Sequence, residues 1–88
     1  MTMESKYRLC EEVEEEFRDK FYGMYDVRPS YEEMWDVAID ITWGDWKHEH
    51  QYANYLMSLL GYECVGAVVT EDNGSDCYSG THYYRKGE

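Results

Sequence analysis

The chain is short of basic residues, of proline and of any long apolar run. Eight Lys and Arg stand against 19 Asp and Glu, a formal net charge of −11 over 88 residues. Phosphate backbones are held through Lys and Arg, so direct binding to nucleic acid is excluded. An anionic membrane surface repels the chain for the same reason. No stretch approaches the ~18 consecutive apolar residues that span a membrane. Behind Met1, the acids from Glu11 to Glu16 break any apolar run that could serve as a signal peptide. The three cysteines, Cys10, Cys64 and Cys77, show no CxxC spacing and do not make the even set of a secreted disulfide scaffold. They read as small buried apolar residues with reduced thiols, and the expected location is cytoplasmic. There is one proline, Pro29, and there are no repeats. A chain of this length has no room for a second core, so residues 1–88 read as a single domain.

What is abundant is aromatic surface. Ten Tyr, three Trp and two Phe make 17% of the chain, within a hydrophobic fraction of 43%. Disordered chains lack such residues, so the chain folds. Its charge is uneven: residues 1–45 carry 13 acids and 5 bases, and residues 46–88 carry 6 acids and 3 bases.

Four segments follow from periodicity. From about residue 4 to 24, Leu9, Cys10, Val13, Phe17 and Phe21 recur at spacings of three and four within a ~120° arc, which predicts a core-facing helix. Gly23 and the Asp26 to Pro29 stretch stop it, since Arg28 precedes proline. Residues 30–43 read as a second helix. Ser30 with Glu33 three residues on resembles a capping box, and Met34, Val37, Ala38 and Ile41 form its apolar side. Gly44 ends that helix, and Asp45 caps a third over residues 46–60, with Trp46, Ala53, Leu56, Met57 and Leu60 on one face and Gly61 as the C-terminal stop. One long helix kinked at Gly44 is the alternative. Residues 62–70 and 77–85 are Val- and Tyr-rich, and Asn73-Gly74 between them signals a hairpin. A two-residue turn there would pair Val69 with Tyr78, Val65 with His82 and Cys64 with Tyr83. Cys64 and Cys77 would then not be opposite each other and could not bridge. A hairpin alone is marginal in water and must pack on the helices. The expected fold is α+β: two or three N-terminal amphipathic helices packed on a C-terminal antiparallel β-hairpin.

Candidate chemistry is sparse. His48 and His50 lie two residues apart on a helix and point ~200° away from each other, so they do not chelate one ion. His82 sits in the hairpin, and no spacing joins it to them or to Cys64 and Cys77 as a metal set. Surface histidines are the simpler reading. Glu71-Asp-Asn-Gly-Ser-Asp76 offers oxygen ligands but is shorter than a calcium loop, and its Asn-Gly is explained by the turn. There is no nucleophile elbow, phosphate loop or HExxH. Catalysis by paired carboxylates needs a cleft, which a domain this small rarely encloses. The expectation is a protein with no catalytic, metal or cofactor site.

The acids themselves are patterned. Glu11/Glu15, Glu12/Glu16, Glu15/Asp19, Glu32/Asp36 and Asp36/Asp40 are all i,i+4 like-charge pairs, each costing an isolated helix a few tenths of a kcal/mol. On two helices they would form rows of carboxylates at ~6 Å steps, similar in spacing to a nucleic-acid backbone. A basic channel built for phosphate would attract such rows at long range. The aromatics exceed what so small a core encloses, so Tyr31, Tyr55, Tyr78, Tyr83 and Tyr84 are expected partly exposed, and exposed Tyr and Trp anchor interfaces.

In chain size, in Glu11-Glu12-Val-Glu-Glu-Glu16 and in the Glu32, Glu33, Asp36, Asp40 row, the sequence resembles the small acidic inhibitors of phages and mobile elements, among them anti-CRISPR and DNA-mimicking anti-restriction proteins. That resemblance implies a protein partner, no cofactor and no turnover, and it transfers no functional residue. The expected function is non-enzymatic binding to a basic, nucleic-acid-binding protein surface such as the channel of a nuclease. The residues expected to carry it are Glu11, Glu12, Glu15, Asp19, Glu32, Asp36 and Asp40, with Trp43, Tyr55 and Tyr84 at the rim. The alternative is an interaction module that docks, or forms a homodimer, through the Trp/Tyr surface and the hairpin edge.

Overall fold

The computed structural model describes residues 3–21, 24–30, 32–72 and 77–87. Their order is α1 (Met3–Lys20), β1 (Met24–Pro29), β2 (Val37–Asp45), α2 (Trp46–Leu59), β3 (Tyr62–Asp72) and β4 (Cys77–Lys86). The four strands form one antiparallel sheet in the order β1-β2-β4-β3. β4 lies between β2 and β3, so α2 carries the chain over β4 to the far edge. The fold is α+β with two helices among the described residues, and β3 and β4 are half of a larger sheet rather than a separate C-terminal layer.

Both helices cover the same sheet face. α1 turns Cys10, Val13 and Phe17 inward, and α2 turns Ala53 and Met57 inward. They meet Val27 on β1, Val37, Ile39 and Ile41 on β2, and Tyr84 on β4. The alternate positions of β2 and β4, among them Asp40 and Tyr83, point to the other face, where Trp35 packs on Tyr83 with ring centroids 4.8 Å apart. Phe17 is the centre of the helix-to-sheet contact. It is fully buried, with Tyr25 at 5.1 Å and Tyr52 edge-on at 5.5 Å.

The expected helix over 30–43 does not exist, and neither does the kinked long helix. Ser30 is followed by a turn, and β2 begins at Val37. Two patterns coincide in this stretch. Met34, Val37, Ala38 and Ile41 satisfy helical spacing, while Val37, Ile39 and Ile41 alternate with Ala38, Asp40 and Thr42 as a strand does. The β-branched residues decide for the strand once β1 and β4 are there to pair with it. The Ser30 hydroxyl does accept a backbone N–H, but from Glu32 at 3.0 Å, two residues on, which is a turn rather than a helix cap. The first helix also ends early, at Lys20 instead of residue 24. Tyr25 and Val27 alternate with Asp26 and Arg28 and face Ile41 and Ile39 across β1–β2. Pro29 is tolerated because β1 is an edge strand.

The third expected helix is α2, one residue shorter than read. Gly61 follows it at φ +85°, the left-handed position that closes a helix. β3 and β4 pair antiparallel, but in a different register. Val69 faces Gly80, Ala67 faces His82 and Cys64 faces Tyr84. Irregularities between Cys64 and Gly66 and between Val69 and Glu71 place extra residues on β3, and the link from Asp72 to Cys77 is longer than two residues. The Asn73-Gly74 turn lies outside the described residues.

Replacing Phe17 with Ala removes the ring on which α1, β1 and α2 converge. The expected loss is about 3–5 kcal/mol of unfolding free energy, measured by urea denaturation followed by circular dichroism. A loss below about 1 kcal/mol would show that Phe17 is not the packing centre.

Candidate functional site

The outer face of α1 keeps its carboxylates. Glu4, Glu11, Glu12, Glu15 and Asp19 are all exposed, and none of them joins an ion pair among the described residues. Tyr7, 51% exposed, stands beside them. The inward-leaning acids of the same helix are used within the molecule. Glu14 pairs with Arg18, and Glu16 accepts the Tyr52 hydroxyl at 2.8 Å. That contact and burial push the Tyr52 phenol up to about 12, burial being the larger cause.

The second expected row, Glu32, Asp36 and Asp40, is not a row. Glu32 is exposed in the turn before β2. Asp36 faces inward as a clasp: its carboxylate accepts the Lys86 N–H at 2.9 Å and the Lys6 ammonium at 2.9 Å. The Lys86 N–H, with Lys6 behind it, holds its pKa below the usual carboxylate range. Asp40 lies on the helix-free face of β2, bound by Arg28 at 3.1 Å and by the Thr81 hydroxyl at 2.5 Å. Only Asp40 lies on β2, while Glu32 and Asp36 belong to the connection before it, so no helix is there to align residues spaced by four. The protein's own bases neutralise Asp36 and Asp40, and the acidic face reduces to α1.

The expected aromatic rim is also redistributed. Tyr55 is exposed at 60%. Tyr84 is not at the surface: its side chain is fully buried under α2. Trp43 lies on β2, with its side chain outside the described part. Cys10 is buried as expected, whereas Cys64 is exposed. Burial, with Asp26 and Glu14 nearby, pushes the Cys10 thiol up to about 11.

Beneath α2 lies a polar network that the sequence reading did not find. The Tyr84 hydroxyl donates to Asn54 Oδ1 at 2.9 Å. Asn54 Nδ2 reaches His50 Nε2 at 3.3 Å, and His50 Nδ1 lies 2.9 Å from His82 Nδ1. The chain of donors fixes the tautomers. An acceptor Nε2 on His50 leaves the proton on its Nδ1, which donates to His82 Nδ1, so His82 carries its proton on Nε2. His82 is fully buried, against the reading of surface histidines, while His48 is exposed. Immediately before His50, buried Glu49 accepts the Tyr25 hydroxyl, which, after burial itself, raises the Tyr25 phenol. One signal was available in the sequence. Glu49, Ala53 and Met57 recur at spacings of four, so Glu49 falls on the apolar stripe of α2.

The far edge of the sheet is open. Val65, Val68 and Val69 on β3 are each about half exposed, at 47%, 51% and 50%, and no described strand pairs with the outer side of β3. Comparison with protein-family models, with curated proteins and with solved structures gives no match to this chain.

Burial, and the charge of His50 beside it, push the His82 imidazole down from 6.5 to about 4. Between those values the unfolded chain binds a proton that the folded one refuses, so stability is full above about pH 6.5 and falls as the pH drops toward 4. Unfolding free energy at pH 5 is expected to be roughly 2 kcal/mol below that at pH 7.5, and His82→Gln should flatten this slope. Equal urea midpoints at the two pH values in the parent protein would refute it.

Proposed function

We propose that the protein is a non-enzymatic binding protein whose α1 face meets a basic, nucleic-acid-binding surface of another protein, such as the channel of a nuclease. The supporting observation is the division of labour among its acids. Glu14 and Glu16 on α1, Asp36 before β2 and Asp40 on β2 are taken up by Arg18, Tyr52, Lys6, Arg28 and Thr81. Glu4, Glu11, Glu12, Glu15 and Asp19 are left together on one exposed helical surface. Like charges at i,i+4 disfavour the helix that carries them, and a partner's cations reverse that effect on binding. α1 extends ~27 Å, long enough to lie along a groove of phosphate-binding Lys and Arg. The resemblance to phage-encoded acidic inhibitors now rests on α1 alone, since Asp36 and Asp40 are paired within the molecule.

A second reading is favoured by the β3 edge. Edge strands are commonly blunted by Lys, Pro or bulges. β3 has neither Lys nor Pro, but its register shifts at both ends, which leaves Gly66 to Val69 as the regular open stretch. A second copy of the chain, or a partner's strand, could extend the sheet there.

Retention of basic lysate proteins on the immobilised protein at low salt, and their release at high salt, identifies a partner for rate measurements. Reversing two acids, in Glu11→Lys with Glu15→Lys, should then slow association by about tenfold at low ionic strength, with the difference closing at high salt. Unchanged rates at low salt would overturn the acidic-face reading. For the second reading, analytical ultracentrifugation should show a concentration-dependent dimer in the parent and a monomer in Val68→Lys. A monomer at every concentration removes the homodimer.

A further inference from the structure

A groove of about 160 Å³ runs between α1 and α2, lined by Leu9, Glu12, Val13, Glu16, Leu56 and Leu60. Val13 is its floor, at 2% exposure, and Leu9 and Leu56 form half-buried walls. Leu60, 42% exposed, leaves apolar surface open at the mouth. An apolar cavity of ~150 Å³ admits a ring the size of benzene, so this space accepts one Leu-, Met- or Phe-sized side chain. Its two polar lining residues are both acids. Glu12 is exposed and joins no ion pair among the described residues. Glu16 keeps one carboxylate oxygen beyond the one that accepts Tyr52.

Position on the helix joins this groove to the acidic face. At 100° per residue, Glu12 lies ~60° around α1 from Leu9 on one side and ~60° from Glu15 on the other. Glu12 is therefore both the lip of the groove and the edge of the carboxylate row. A partner drawn to Glu11, Glu15 and Asp19 brings its flank over the groove. A second copy of this chain is the wrong occupant, because it would bring another −11 of charge to the same lip.

We infer that the α1–α2 groove is the apolar anchor site of the same interface. It would receive one Leu, Met or Phe side chain from a basic amphipathic helix whose Lys or Arg residues reach Glu12 and Glu16. This rests on the acidic-face reading and adds to it the kind of segment that is recognised. Charge sets the encounter rate, and the buried side chain sets the residence time. Helix-in-groove recognition reads an apolar stripe spaced by three and four, and the two walls of this groove are themselves helices.

The test uses the full chain and three synthetic 15-residue probes: a helical peptide with Leu at every third or fourth position and Lys elsewhere, the same peptide with Leu replaced by Ala, and oligolysine of equal charge. Affinities come from fluorescence anisotropy, and the contact site from NMR shifts of Leu methyls. The Leu peptide should bind about tenfold or more tightly than the Ala peptide, as expected for burial of one large apolar side chain, and should shift the Leu56 and Leu60 methyls. Leu60→Ser, at an exposed position that leaves the core intact, should erase that preference. Glu12→Gln should weaken all three probes and reduce their salt dependence. If the Ala and Leu peptides bind equally while Glu12→Gln weakens both, the anchor site is refuted and the acidic face survives. Failure of all three probes to bind refutes both. A dimer in sedimentation that Leu60→Ser dissociates would assign the groove to a second copy and overturn the basic helix as occupant.

Discussion

Asp36 is the residue on which the arrangement of strands depends. Its backbone N–H donates to the Tyr84 carbonyl at 2.7 Å, and its carbonyl accepts the Ser30 N–H at 2.7 Å. Its carboxylate takes the Lys86 N–H and the Lys6 ammonium. One residue therefore ties the start of β2 to the end of β1, the end of β4 and the first turns of α1. Buried backbone groups must find partners, and at this corner Asp36 supplies them. With β4 held there, Tyr84 and His82 face inward, and α2 has a surface to lie on.

That surface is unusual in being half polar. Val37, Ile39, Ile41 and Met57 make an ordinary apolar core, yet Tyr84, Asn54, His50 and His82 run through it as one hydrogen-bonded chain. Such chains are favourable when every member is satisfied and costly when one is not. They also fix direction, since an imidazole accepts a proton only on the nitrogen that lacks one. α2 is consequently held in one rotational setting over the sheet, which points Tyr55 and Leu59 outward and sets Leu56 and Leu60 against α1. The buried network and the exposed groove are two sides of the same helix placement.

The elements legible in the sequence are those whose pattern has one reading. α1 has Cys10, Val13 and Phe17 at helical spacing with acids opposite, and nothing else fits it. α2 ends at Gly61, where the backbone needs a left-handed residue. The β3–β4 pairing was legible in kind but not in register, because no local signal marks the extra residues on β3. Residues 30–43 were ambiguous for a definable reason: Val37, Ala38 and Ile41 suit a helix as well as Val37, Ile39 and Ile41 suit a strand, and Ser30 serves a turn as readily as a cap. Only pairing with distant strands resolves that. The same misreading produced the second acidic row, since Glu32 and Asp36 lie in the connection before β2 and share no helix with Asp40. Tyr84 was misplaced because composition counts aromatics without saying which ones the sheet turns inward.

The clasp at Asp36 also brings the two ends of the described chain together. Lys6 and Lys86 stand at opposite ends of the described chain, yet both touch one carboxylate. The first turns of α1 and the end of β4 therefore meet at the same corner. Fraying of either end is opposed by the same carboxylate, which latches the one to the other.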